Sequence, residues 1–266
     1  MTHIRMLALE LDAARKIHLA MTSERPYYDK DRDNELKASY YSGGITNISE
    51  LQQLLERTHD HRLPYKPYRY VYPWVDLQEN GQIKSLYSGR AMSPLEAIEA
   101  DIRLLQAADD VSLAGEGLLN CEHVVPQSWF RKQEPMRGDL HHLFACEPGC
   151  NSRRGNHPYY DFLDYTPEAG VQSVIAGCGK QEDGRFEPEY GKGIVARATL
   201  YFLLRYPGVI DSSHVDSKLL LEWHYRFPVT LYEQHRNLAV FELQGNRNPF
   251  IDFPEIAEQW AGSNAN

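Results

Sequence analysis

The chain has no uncharged apolar run approaching 18 residues, which excludes a transmembrane helix from its sequence pattern. Internal repeats, low-complexity tracts and Pro/Gly/Ser-rich linkers are missing too, so nothing marks a domain boundary. His-Glu-x-x-His does not occur, which removes the zinc-protease motif. Glu10, Asp12, Arg15 and Lys16 interrupt the first 21 residues and deny them the apolar core of a secretory leader. The protein is therefore expected in the cytoplasm unless another route exports it. Positive charge is in deficit: 28 Lys and Arg face 37 Asp and Glu, a net charge of −9. That balance argues against a general polyanion binder, which ordinarily presents a basic surface. Arg131, Lys132, Arg137, Arg153 and Arg154 nevertheless crowd one part of the sequence, and a cleft needs positive potential only locally.

What is present is an ordinary globular composition, 42% hydrophobic and 24% charged, enough for a packed core in a single domain of 266 residues. Ile4, Leu7, Leu11, Ala14, Ile17 and Met21 recur three or four apart and predict an amphipathic helix over 3–21, either an interaction arm or part of the core. Ser49–Arg57 reads as a second helix with Asn47 or Ser49 as its cap. Tyr68-Arg69-Tyr70-Val71-Tyr72 alternates like a strand, and Ile83–Tyr87 reads as another after the turn Glu79-Asn80-Gly81-Gln82. Ser93-Pro94-Leu95-Glu96 opens a helix to about Ala108. Leu118 to Phe144 reads as strand-like segments around a loop. Ile194–Tyr206, Ser217–Tyr225 and Thr230–Phe241 read as helices, the first stopped by Pro207-Gly208.

The chemistry concentrates in Asn120-Cys121-Glu122-His123-Val124-Val125-Pro126-Gln127-Ser128-Trp129-Phe130, then Asp139-Leu140-His141-His142-Leu143-Phe144 and Asn151-Ser152-Arg153-Arg154-Gly155-Asn156. Neighbours on a strand point to opposite faces, so Glu122 and His123 can reach one phosphate only if the chain bends there. A carboxylate and an amide oxygen are hard ligands suited to Mg²⁺, which keeps several waters. An imidazole is the natural base for activating water at neutral pH.

This constellation resembles the endonuclease I family of His-Me finger (ββα-metal) nucleases. Tyr87-Ser88-Gly89-Arg90 resembles the family upstream. Downstream, Phe186-Glu187-Pro188, Lys192-Gly193, Ala196-Arg197-Ala198 and Leu204-Arg205-Tyr206-Pro207-Gly208 do so, as do Leu221-Glu222-Trp223-His224 and Gln244 to Asp252. The resemblance implies an α+β fold: a His-Me finger core embedded in a larger single mixed domain with flanking helices. A strand would carry Glu122-His123, a second would run through Leu140–Phe144, and a helix would carry Asn151. Implied boundaries are a helical extension over 1–39, the nuclease domain over 40–260 and a tail over 261–266.

By the same resemblance the protein would be a metal-dependent, largely sequence-nonspecific endonuclease acting on DNA, with RNA left open as a further substrate, and leaving 5′-phosphates. Glu122 and Asn151 would hold one Mg²⁺, or Mn²⁺ or Ca²⁺ in its place, and His123 would be the general base. An arginine would stabilise charge on phosphorus; Arg137 is favoured, with Arg153, Arg154 and Arg247 as alternatives or substrate contacts. No membrane and no obligate protein partner is implied.

Other residues carry competing readings. Cys121, Cys146, Cys150 and Cys178 could hold a structural Zn²⁺ or stay as buried thiols, with two disulfides ranked third. A catalytically silent nucleic-acid-binding module built on such a zinc site is the alternative to an enzyme. His141 and His142 suit core hydrogen bonding better than chemistry. Tyr68, Tyr70, Tyr72, Tyr159 and Tyr160 could stack on bases but suit packing better. Arg153 and Arg154 suit phosphate contacts, or simply a solvated helix end.

Overall fold

Short polar side chains decide where several helices begin, by accepting from backbone N–H groups that the first turn leaves unpaired. In the computed structural model, which describes residues 2–23, 25–107, 120–165 and 177–263, α1 (Thr2–Ser23) is followed by α2 (Lys30–Tyr40), capped by Asp29, and α3 (Ile48–Thr58), capped by Asn47. α4 (Pro67–Tyr70) runs into a π-helical turn over Val71–Val75. Strands β1 (Ile83–Lys84) and β2 (Ala91–Met92) lead to α5 (Pro94–Ala107). Then come β3 (Asn120–His123), β4 (Leu143–Cys146) and α6 (Pro148–Arg154). The hairpin β5 (Gly179–Glu182) and β6 (Arg185–Pro188) precedes α7 (Lys192–Arg205) and α8 (Ser217–Arg226). The described chain closes with α9 (Leu231–Gln244), α10 (Pro249–Asp252) and α11 (Ile256–Ser263). Thr230 and Glu233 form a reciprocal capping box at the start of α9.

The α+β class holds, with three small antiparallel pairs among many helices in the described residues. Tyr68–Tyr72 is a correction: the alternating run is helical. Pro67 stands at the first helical position, and Val71 to Val75 are buried on every side, so period two had no solvent face to report. The strand expected over Ile83–Tyr87 keeps only Ile83–Lys84. Leu140–His142 forms a 3₁₀ turn because Asp139 accepts from the His141 N–H, which delays β4 to Leu143. Ala108 and Leu118 lie outside the described residues. α1 is no free arm: Ala14 is fully buried, and the helix packs on the π turn and α5.

β3 and β4 pair with Glu122 opposite Phe144 and His123 opposite Leu143. Phe144 and Cys146 pack into one apolar cluster with Phe186, Trp223 and Phe250, while Cys121, Leu143 and Ala145 pack into another with Val71, Tyr72 and Leu140. The hairpin thus lies between two cores. Side chains, together with one main-chain bond from the Leu86 N–H to the Ala145 carbonyl at 2.9 Å, satisfy its outer edges. Asp76 accepts from Ala145 N at 2.6 Å, and Arg236 donates to Asp76 at 2.8 Å and to the carbonyls of Leu140 and Leu143. On the β3 side, Arg154 donates to the Val124 carbonyl at 2.9 Å and Tyr65 to that of Cys121 at 3.4 Å.

Buried histidines set an acid limit on this fold. Burial lowers His141 to about 3 and His235 to about 4, whereas the unfolded chain titrates near ~6.5. Below that value the unfolded state binds more protons, so stability is complete above it and is lost as pH falls towards the folded values. Asp139, held below its usual range against burial by nearby His59, His141 and His142, adds loss in the same direction at lower pH. Each such histidine costs about 1.4 kcal/mol per pH unit below its unfolded pKa. Thermal melts between pH 8 and 4.5 should show a level midpoint above pH ~6.5 and a steady fall below it; a midpoint flat to pH 4.5 would contradict the neutral, buried assignment.

Candidate active site

β3 ends at His123, and the chain bends over Val124–Val125. This is the departure from a straight strand that the Glu122-His123 pair requires. Both residues line one open cavity of about 250 Å³ with Asn151, Gln127, Ser128, Asn156 and Tyr65. α6 follows β4 after a single residue, with Pro148 at its first position, and this brings Asn151 to the cavity. Asn151 is half-buried, and its side chain has no hydrogen-bond partner among the described residues.

His123 Nε2 lies 2.9 Å from the carbonyl of Arg137. A carbonyl only accepts, so Nε2 carries the proton and Nδ1 the lone pair. The Tyr65 ring lies tilted by 31° at 5.0 Å from the imidazole, and His142 meets it edge-on at 5.4 Å. Burial first, then the neighbouring His142, lowers His123 to about 3, which keeps the ring neutral at the cost of basicity.

Glu122 is 3% exposed, and burial pushes its carboxyl up to about 7 despite the opposing pull of Arg154 and the Tyr87 hydroxyl. Tyr87 donates to Oε1 at 2.8 Å, and Arg154 Nε approaches the same oxygen at 3.6 Å. Both contacts fall on Oε1, which leaves Oε2 for a ligand. Tyr65 was missed from sequence, where one aromatic in a Pro- and Lys-bounded stretch gives no signal; Tyr87 appeared only within the Tyr-Ser-Gly-Arg segment.

The arginines separate by location. Arg137 is half-buried beside His123, its guanidinium 5.3 Å over the Tyr65 ring and its Nε without a partner. Arg153 is exposed, with one weak bond to the Gly179 carbonyl at 3.5 Å. Arg154 as a phosphate contact is a correction: it is fully buried, lies over Tyr159 at 4.8 Å and serves Glu122 and Val124 from behind. Arg247 is a second correction. It is fully buried and paired with Asp33 and Asp252 at 2.8 and 2.7 Å, so neither substrate nor phosphorus can reach it.

The four-cysteine zinc site is a third correction. Cys150 and Cys178 form a disulfide, and Cys121 and Cys146 are buried thiols on opposite faces of the hairpin, in different apolar clusters. Four sulfurs so divided cannot surround one ion, which removes the silent zinc module as well. The disulfide ties the residue before Asn151 to the start of β5. His141 and His142 are buried and bond to the carbonyls of Asn246 and Met136 at 3.1 and 2.6 Å. Tyr68, Tyr72 and Tyr159 are buried in the cores.

A hairpin and a helix thus bring an imidazole, a carboxylate and a carboxamide to one polar cavity. The chain belongs to the endonuclease I family, whose pattern its residues 46–255 match. Among curated relatives it is 34% identical over 162 residues to the extracellular ribonuclease of Bacillus subtilis (strain 168), covering 53% of each chain. It is 31% identical over 119 residues to the periplasmic deoxyribonuclease of Aeromonas hydrophila, covering 44% of this chain and 48% of the relative. Endonuclease-1 of Buchnera aphidicola subsp. Baizongia pistaciae (strain Bp) is 28% identical over 117 residues, 42% of this chain and 45% of the relative. The chain spans about half the length of the curated relatives it matches.

Proposed function

We propose that this protein is a metal-dependent, largely sequence-nonspecific endonuclease that hydrolyses phosphodiester bonds of DNA, and of RNA, to leave 5′-phosphates. The observation that carries this reading is the convergence of His123, Glu122 and Asn151 on one open polar cavity in a member of the endonuclease I family. In this reading β3, β4 and α6 constitute a His-Me finger, the ββα-metal core of the domain. Relatives named as a ribonuclease and as deoxyribonucleases support both substrates.

The donor set fits a hard divalent cation. Glu122 and Asn151 offer a carboxylate and an amide oxygen in a cavity with room for water ligands. Among the described residues no three His, Cys, Asp or Glu side chains gather, which suits Mg²⁺, or Mn²⁺ or Ca²⁺, better than a closed zinc site. When bound, the ion would polarise a non-bridging phosphate oxygen and offset charge on the leaving 3′ oxygen.

The chain's own groups do the rest. The Arg137 carbonyl fixes the His123 ring by its Nε2–H, so Nδ1 takes the proton of the attacking water. Tyr65 holds the imidazole from one face. Arg137, with an unused donor at Nε, supplies positive charge to the pentacoordinate phosphorus. Gln127, Ser128 and Asn156 are uncharged hydrogen-bonding groups able to hold phosphate and sugar without selecting a base.

Incubation with supercoiled plasmid and with RNA tests this directly. Mg²⁺ should support nicking of the plasmid and cleavage of the RNA, and EDTA should abolish both. Two intact substrates in Mg²⁺ would remove the enzyme reading.

A further inference from the structure

Gln127 and Ser128 line the candidate catalytic cavity, and the next three residues of the same loop, Trp129, Phe130 and Arg131, line a second cavity of about 380 Å³. Gln133, Val209 and Asp211 close it. Its aromatic wall touches the machinery already described. The buried Phe130 ring lies 6.3 Å from that of His123, and the guanidinium of Arg154, partner of Glu122, sits 5.6 Å over Trp129. The two cavities are therefore one side chain apart. A polynucleotide whose scissile phosphate occupies the first has its flanking nucleotide at such a distance.

The lining of the second cavity carries charge of both signs, Arg131 and Asp211. Arg131 lines the cavity and Lys132 follows it on the loop, both exposed with φ of 56°, and no acidic partner is found for either among the described residues. Two successive non-glycine residues in the left-handed region are strained and persist only where their surroundings hold them. Here the Lys132 N–H closes the turn onto the Gln127 carbonyl at 2.9 Å, which fixes both cations on the loop that lines the catalytic cavity. Exposed Asp211 is the acidic member of the lining, its Oδ1 accepting from the Ser213 N–H. A carboxylate only accepts, so it repels phosphate and tolerates the N–H groups of a base. Phosphate therefore belongs at Arg131 and Lys132, and the base towards Phe130, Gln133 and Asp211.

We propose that this cavity is the subsite for the nucleotide flanking the scissile bond, with Arg131 and Lys132 holding its phosphate. The inference rests on the nuclease reading but makes a separate demand, on binding. A fluorescent single-stranded DNA oligonucleotide, titrated in EDTA at several salt concentrations, measures it. R131Q/K132Q should bind about tenfold more weakly at low salt. Its log-affinity should fall less steeply with log salt, by about 0.7 for each phosphate no longer neutralised. K218Q, which removes an exposed lysine of α8 outside the cavity, should match wild type in both respects. A wild-type affinity and slope in R131Q/K132Q, or the same change in K218Q, would overturn the subsite. Plasmid nicking in Mg²⁺ separates the two readings. Nicking by wild type with no binding change in R131Q/K132Q removes the subsite alone, whereas the expected binding change without nicking removes the enzyme alone. Matching thermal melts exclude misfolding as the cause.

Discussion

Replacing His123 with alanine should lower kcat by about 10²–10⁴-fold, the range lost when a positioned base is removed. The reason is local. The imidazole lines the cavity with Glu122 and Asn151, and its proton is pinned on Nε2 by the Arg137 carbonyl, so Nδ1 is the basic atom available. KM should change far less than kcat, because a proton acceptor acts in the transition state and contributes little to ground-state binding. Rates of plasmid nicking in Mg²⁺ measure the effect, with thermal melts to show that the variant remains folded. Near-wild-type kcat in a folded His123→Ala protein would remove this residue from the base role.

Arg154→Met should act on stability and activity together. Arg154 is fully buried, approaches Glu122 at 3.6 Å and satisfies the carbonyls of Val124 and Gly155 at 2.9 and 3.0 Å. Removing one partner of a buried pair typically costs about 3–5 kcal/mol; the Gly155 carbonyl also loses a donor, and that of Val124 keeps only the Tyr159 hydroxyl at 3.5 Å. Glu122 is pushed up to about 7 even with the guanidinium beside it, so without it the carboxyl is neutral at pH 7. The variant should therefore unfold at markedly lower denaturant with an unchanged slope, and its residual folded fraction should need far more Mg²⁺ to cut DNA. An unfolding midpoint equal to wild type would show that Arg154 is dispensable to the hairpin.

Much of the site was legible in the sequence because the three central residues fall within one short stretch. Glu122 and His123 are adjacent, and Asn151 follows the second strand closely, so one hairpin and one helix suffice to unite them. The arginines were not legible. Arg153 and Arg154 are neighbours of equal formal charge, yet one faces solvent and the other is sealed between Glu122 and Tyr159, a difference set by helical phase at the end of α6. Arg247 lies in a segment whose resemblance to the family is strong, but its partners Asp33 and Asp252 make it structural, and only tertiary packing brings Asp33 to it.

The helices followed the same division. Asn47 and Thr230 announce α3 and α9 by local capping chemistry, whereas Tyr68–Tyr72 misled because Arg69 and Tyr70 are only partly exposed and the run continues into Val71–Val75, all buried, which blurs a period of two against one of 3.6. The cysteines were ambiguous for a related reason. Spacing alone cannot say that Cys121 and Cys146 belong to different cores while Cys150 meets Cys178.

The side chains that finish the β3–β4 hairpin determine how far the site can travel. Asp76, Arg236, Arg154 and Tyr65 come from a π turn, from α9, from α6 and from the stretch before α4, and each takes the position a neighbouring strand would otherwise hold. Excised as a minimal peptide or grafted onto a foreign scaffold, the hairpin would arrive with orphan backbone groups, each costing about 1–3 kcal/mol if kept from water. The candidate site residues from Glu122 to Asn151 fall within about thirty consecutive residues of sequence, but they are not a portable cassette.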